Sequence, residues 1–117
     1  SWFEIPVVDL DRAVDFYERV FLVERERDTI DGNDAAYFPA ADGPIGAAGA
    51  LMQGESYVPS VDGTRIYLGV DDVDAVVARA VEAGADVLYP VTTVDDTVVA
   101  EIADSEGNRI ALQGDAD

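Results

Sequence analysis

The stretch Ile5-Pro6-Val7-Val8-Asp9-Leu10-Asp11 returns in outline sixty-three positions later as Leu68-Gly69-Val70-Asp71-Asp72-Val73-Asp74. In both copies an apolar, strand-like run leads to an Asp whose short side chain can accept a hydrogen bond from the first turn of a helix. After Asp9, the residues Leu10, Ala13, Val14, Tyr17, Val20 and Phe21 recur at the three-to-four-residue spacing of one helical face. After Asp72 the same spacing carries Val73, Val76, Val77, Ala80 and Ala83, with Gly84 as the expected stop. Strand, cap and helix align in order, so the chain reads as an internal duplication of a strand–helix module, with strands over 2–7 and 66–70.

Each helix is followed by further short apolar runs bounded by turn residues. In the first half these are 22–27, 35–38 and 47–52, separated by Asp31-Gly32-Asn33 and Asp42-Gly43. In the second half they are 86–89, 97–103 and 109–113, with Ser105-Glu106-Gly107-Asn108 before the last. The reading is a single α+β domain over 1–117, built from two βαβββ modules in tandem, residues 1–53 and 64–117. Residues 54–63, with Pro59 and several small or polar side chains, form the linker.

Composition narrows the chemistry. Of 117 residues, 49% are hydrophobic, enough for one packed core. With no Cys and no His, thiolate catalysis, disulfides and the commonest general base and metal ligand are excluded. Asp and Glu total 25 against 7 basic residues, all Arg, for a formal charge of −18. Loading Asp while dropping Lys is expected of a protein kept hydrated in molar salt, a halophilic pattern. Seven scattered Arg cannot form a phosphate-binding patch, so nucleic acid is not an expected partner. No apolar run approaches the ~20 residues of a membrane span, and a cytoplasmic, non-membrane protein is expected.

Three segments together carry a family resemblance. They are Phe3-Glu4-Ile5-Pro6-Val7-Val8-Asp9-Leu10-Asp11-Arg12-Ala13-Val14-Asp15-Phe16-Tyr17, then Tyr67-Leu68-Gly69-Val70-Asp71-Asp72-Val73-Asp74, and Asp104-Ser105-Glu106-Gly107-Asn108-Arg109-Ile110-Ala111-Leu112. Over essentially its whole length the chain resembles the vicinal oxygen chelate superfamily, the glyoxalase, bleomycin-resistance and extradiol dioxygenase group. The resemblance implies cupped mixed sheets, with a divalent metal held in the cup by residues of the first and last strands of both modules. Here those positions fall on Trp2, Arg65 and Ala111, and on a stretch, 44–51, that offers only Pro, Ile, Gly, Ala and Leu. None can coordinate a metal. No metal and no cofactor are therefore expected at the family site, while a displaced site through Glu4 and Glu101 stays open.

Strand alternation places the cup residues. If Phe3, Ile5 and Val7 pack on the helix, Trp2, Glu4 and Pro6 face the cup, and the same parity turns Arg65, Tyr67, Arg109, Ala111 and Gln113 inward. Aromatic walls with a few polar groups suit a small-molecule ligand. The expected ligand-binding residues are thus Trp2, Glu4, Arg65, Tyr67, Arg109 and Gln113. Tyr37, Phe38 and Tyr57 are further candidates whose registers the sequence leaves open, and Met52 reads as packing.

The resemblance implies a small-molecule binding protein of the bleomycin-resistance type. The alternative is a lyase, isomerase or dioxygenase-type enzyme with Glu4 as general base, Arg65 or Tyr67 stabilising an oxyanion, or a rebuilt metal site. Glu4 can equally be a structural partner of Arg65 or Arg109, and a third reading is a partner-recognition module with an empty cup. A homodimer is expected, because the open edges of small sheets are commonly covered by a two-fold partner. Leu22, where relatives often carry Gly, predicts a less sharp helix end or packing at an interface.

Overall fold

The computed structural model describes residues 2–22, 26–38 and 48–116. The order is β1 (Trp2–Val7), α1 (Leu10–Phe21), β2 (Arg27–Ile30), β3 (Asn33–Phe38), β4 (Ala48–Gln53), β5 (Ile66–Gly69), α2 (Val73–Glu82), β6 (Val87–Val94), β7 (Thr97–Ala103) and β8 (Arg109–Asp115). The strands form two four-stranded mixed sheets, β1-β4-β3-β2 and β5-β8-β7-β6, in which the first strand of each module pairs in parallel with its last. The duplicated α+β architecture expected from the repeat is the one observed.

Both helices start as the caps predict. The Asp9 side chain accepts from the Arg12 N–H at 3.1 Å and the Asp72 side chain from the Ala75 N–H at 3.1 Å. One face of each sheet is closed by its helix. Ile5, Val7, Val14, Tyr17 and Val20 join Val73, Val76, Ile102, Ile110 and Leu112 in one apolar cluster that spans both modules. The helices touch each other, and the Arg79 guanidinium on α2 donates to the last-turn carbonyl of Val20 on α1 at 2.8 Å. Among the described residues no helix is long and apolar enough to cross a membrane.

The second module is also joined to the first by the turn 104–108. The Glu106 carboxylate accepts from the N–H groups of Val8 and Asp9 at 2.9 and 2.8 Å and is gripped by Arg12 through Nε at 2.7 Å and Nη2 at 3.0 Å. Asp104 accepts the Tyr17 hydroxyl at 2.6 Å, and the Asn108 amide donates to the Pro6 carbonyl at 2.7 Å. Glu106 and Asn108 thus satisfy backbone N–H and carbonyl groups at the β1–α1 junction, and Asp104 holds the Tyr17 hydroxyl further along α1.

Two strands differ clearly in extent from the sequence reading. The second strand is not 22–27 but starts at Arg27, and residues 23–25 lie outside the described set. Its end is fixed by a two-residue turn, Asp31-Gly32, with φ of 50° and 79°, the left-handed pair that a tight hairpin requires. The strand expected over 86–89 runs on to Val94. Pro90 does not end it, because β6 is an edge strand and its pairing to β7 shifts register around that position. The turn expected at Asp42-Gly43 lies outside the described residues.

Leu22 overturns the expectation of a less sharp helix end. It takes the left-handed conformation normally given to Gly, with φ 59°, ψ 35° and its N–H bonded to the Glu18 carbonyl. Its side chain is 67% exposed, and among the described residues nothing compensates the strain. The expected result for Leu22→Gly is a gain of about 0.5–1 kcal/mol, read from urea denaturation midpoints. An unchanged or lower midpoint would mean that the Leu22 side chain is held by a contact outside this chain.

Candidate functional site

Each sheet turns its second face away from its helix, and these two open faces receive the residues that strand parity assigned to them. On the first module, Ala35, Ala50 and Met52 form a fully buried apolar floor, with Ile30, Tyr37 and Tyr57 packed against it. Tyr57 comes from the segment after β4 and folds back over the sheet. That return runs through Gly54, where a Cβ would collide with the end of the Asn33 side chain and force it to turn aside.

Trp2 and Glu4 lie together on this face. Glu4 accepts the Tyr57 hydroxyl at 2.7 Å and the Trp2 indole N–H at 3.1 Å. Trp2 is 49% exposed and meets Tyr37 edge-on, with ring centroids 6.1 Å apart and planes at 73°. The Tyr37 hydroxyl donates to Asp28 at 3.2 Å. The Tyr57 phenol is held above its ordinary pKa chiefly by its hydrogen bond to Glu4, and that of Tyr37 chiefly by desolvation with the Asp28 bond adding to it. Both phenols therefore stay protonated donors at neutral pH.

The second open face has a different character. Glu101, 8% exposed, accepts from Arg109 at 2.5 Å and from Arg65 at 3.4 Å. Arg109 also donates through Nε to the Val61 carbonyl at 3.1 Å. Tyr67 stands opposite Ala111 in the β5–β8 pair and is 51% exposed, and Gln113 stands opposite Gly69 at the exposed end of the same face.

The expected site residues are therefore gathered into two sets. Trp2 and Glu4 meet on the first module. Arg65, Arg109, Tyr67 and Gln113 share the second. Among the described residues no hydrogen bond or ion pair joins the sets, and the arginines weighed as partners for Glu4 bind Glu101 instead. Tyr37 and Tyr57, whose registers the sequence left open, prove to be the walls of the first face, whereas Phe38 belongs to the core beneath the helix.

A divalent metal does not fit these donors, since it needs three or four N, O or S ligands. Glu4 and Asp28 are engaged by indole and phenol groups, and Glu101 by two guanidiniums whose charge opposes a metal ion. Among the described residues no three His, Cys, Asp or Glu side chains converge. A groove of about 370 Å³ lies beside the start of α1, lined by Leu10, Asp11, Arg27, Asp34 and Gln53 and sharing Asp28 and Ala35 with the first open face. Its polar walls are crosslinked by the Arg27–Asp11 pair at 2.5 Å, and it has no aromatic side chain.

The fold and these faces can be set beside known proteins. Residues 1–112 match the family model described as Glyoxalase/Bleomycin resistance protein/Dioxygenase superfamily. Among solved structures, a glyoxalase/bleomycin resistance protein from Streptomyces sp. CB03234 superposes with a TM-score of 0.75 at 25% identity, covering 95% of this chain and 96% of that one. TnmS3, an antibiotic binding protein from the same Streptomyces, gives 0.71 at 26% identity over 98% and 93%. A glyoxalase family protein from Bacillus cereus gives 0.76 at 21% identity over 97% and 91%. Comparison with curated proteins finds no match.

Proposed function

Because the chain belongs to the glyoxalase/bleomycin resistance protein/dioxygenase superfamily, we propose that it binds a small organic molecule against the open faces of its sheets, without a metal ion. The observation that carries this reading is the first open face. A buried floor of Ala35, Ala50 and Met52 is walled by aromatic rings, one of them a half-exposed Trp, and rimmed by carboxylates. Soluble domains bury most large aromatic area, and a concave apolar floor with a few placed polar groups is the usual make-up of a ligand site. That a neighbour of this fold is an antibiotic binding protein supports the same reading.

The active species in this proposal is a homodimer. Within one chain the sheets are separate and the helices pack together, so each open face is one wall without an opposite wall. A two-fold partner that lays its second-module face over the first-module face would close the pocket on both sides, with Tyr67 of that face opposite Trp2, while Arg65 stays with Glu101. The lysine-free, Asp-rich surface is read as adaptation of a cytoplasmic protein to molar salt.

The test is a thermal-shift screen in molar KCl with planar and polycyclic small molecules, followed by titration of each hit against Trp2→Ala and Tyr67→Ala. A hit is expected to raise the melting temperature saturably. Trp2→Ala should weaken it about tenfold, the loss of one aromatic contact of roughly 1–1.5 kcal/mol. Hits whose affinity in both variants equals that of the wild type would contradict the proposal.

A further inference from the structure

From the first open face we infer the chemical class of the ligand: an organic cation, a protonated or quaternary amine carried on an apolar body. The inference rests on the small-molecule reading above and goes beyond it in assigning a charge. Its basis is Glu4. This half-buried carboxylate has two hydrogen-bond partners, the Tyr57 hydroxyl at 2.7 Å and the Trp2 indole at 3.1 Å, and both are neutral. Asp28 on the same face is met by the neutral Tyr37 hydroxyl at 3.2 Å and its neighbour's backbone N–H.

Among the other described carboxylates drawn out of bulk water, Glu101 and Glu106 are balanced by arginine and Asp104 by four neutral donors, twice the number that Glu4 has. Glu106 is paired with Arg12, and Glu101 with both Arg65 and Arg109. A carboxylate drawn partly out of water against an apolar floor is costly without a counter-charge, and among the described residues Glu4 has none. The rings around it point to what would supply one. Trp2 and Tyr37 meet at 73° and form a corner of two aromatic surfaces, and a cation seated in such a corner gains from both ring quadrupoles as well as from the carboxylate.

The whole molecule favours the same sign. At −18 the chain surface favours cations over anions, within the few ångströms over which charge acts in molar salt. The second open face, where the Glu101 charge is already matched by arginine, gives no comparable seat for a cation.

The single Trp of the chain stands in this corner and reports on it. The experiment titrates benzyltrimethylammonium chloride against Trp2 fluorescence in the wild type, in Glu4→Gln, in Arg65→Ala and in Glu82→Gln, whose exposed carboxylate lies at the end of α2 away from both faces, with neopentylbenzene as the uncharged isostere. Circular dichroism checks that each variant is folded. The expected result is a saturable change with the cation, about tenfold weaker in Glu4→Gln and unchanged in Glu82→Gln, with the isostere at least tenfold weaker than the cation. Equal binding of the isostere, or Glu4→Gln binding as tightly as wild type, would overturn the inference while leaving an apolar ligand site intact. Binding of the cation only in Arg65→Ala would also overturn it, because Glu4 would then be neutralised by an arginine of a second copy. No binding of either probe, together with no hits in the thermal-shift screen, would overturn both the inference and the small-molecule reading.

Discussion

Replacing Glu106 with Ala is expected to destabilise the protein by about 2 kcal/mol, although this residue lies in a surface turn. Its side chain is fully buried and accepts from two backbone N–H groups of the β1–α1 junction, from Arg12 at two nitrogens and from Ser105 at 3.0 Å. Removing the acceptor takes a charged partner from the Val8 and Asp9 N–H groups and from the half-exposed Arg12, and hydrogen bonds to a charged group are worth about 1.5–3 kcal/mol, part of which water restores at these exposed donors. Urea denaturation of wild type and Glu106→Ala measures the difference, and a loss below about 1 kcal/mol would show that the turn does not hold the modules together.

The same residue gives a pH signature. Desolvation raises the Glu106 pKa, but the hydrogen bonds from Arg12, Asp9, Ser105 and Val8 together outweigh it and hold the carboxyl below its ordinary value. A depressed folded-state pKa contributes stability that is complete above the unfolded carboxylate range, near pH 4.3. That contribution is lost as pH falls through the lower folded value. Glu106→Gln should therefore show a shallower loss of stability between pH 5 and acid than wild type, with pH limits set by roughly that range.

Tyr17 is the second position where a large effect is expected, and two substitutions separate its two roles. The side chain has no exposure, stacks on Phe21 at 5.6 Å, meets Phe16 and Phe38 edge-on at 5.5 Å, and donates its hydroxyl to the buried Asp104 at 2.6 Å. Tyr17→Ala should cost about 4 kcal/mol, the range for deleting a buried aromatic ring and leaving a cavity. Tyr17→Phe keeps the ring and removes one of the donors to Asp104, so about 1–2 kcal/mol is expected. Asp104 still accepts from the Glu106 and Asn108 N–H groups and the Asn108 amide, which limits the second loss. Equal losses for the two variants in thermal or urea denaturation would mean that the hydroxyl, not the ring, dominates at this site.

Those two residues also mark where reading the sequence stops. The helix faces were legible because a 3.6-residue period leaves a dense apolar signature, and the caps because an Asp precedes each one. The period-two alternation of β1 correctly assigned Ile5 and Val7 to the core and Trp2 and Glu4 to the other face. The segment 104–108 was recognisable as a turn, but nothing in its composition shows that Glu106 reaches almost a hundred positions back to Val8 and Asp9. The partners of Glu4 escaped for a related reason. Tyr57 follows β4 in a stretch without periodicity, and only its fold-back over Ala35, Ala50 and Met52 brings its hydroxyl to the carboxylate. Arg65 and Arg109 were visible as inward residues, yet Glu101, which claims both, sits on a neighbouring strand whose register the sequence does not fix.

The Pro90 difference has the same origin. A proline is a strong local stop in the interior of a sheet, and the sequence alone does not say that β6 is an edge. Topology decides, and topology is a property of all four strands together.

The central claim, a small-molecule site on the open sheet faces, is tested most directly by two-dimensional NMR of 15N-labelled protein titrated with the tightest hit of the thermal-shift screen. The account predicts that the Trp2 indole Nε1–H resonance and the amides of Ala35, Ala50 and Met52 shift together and saturate at one ligand per chain or fewer. Shifts confined to the groove beside α1, at Leu10, Asp11, Arg27 and Gln53, with the Trp2 signal unmoved, would contradict it.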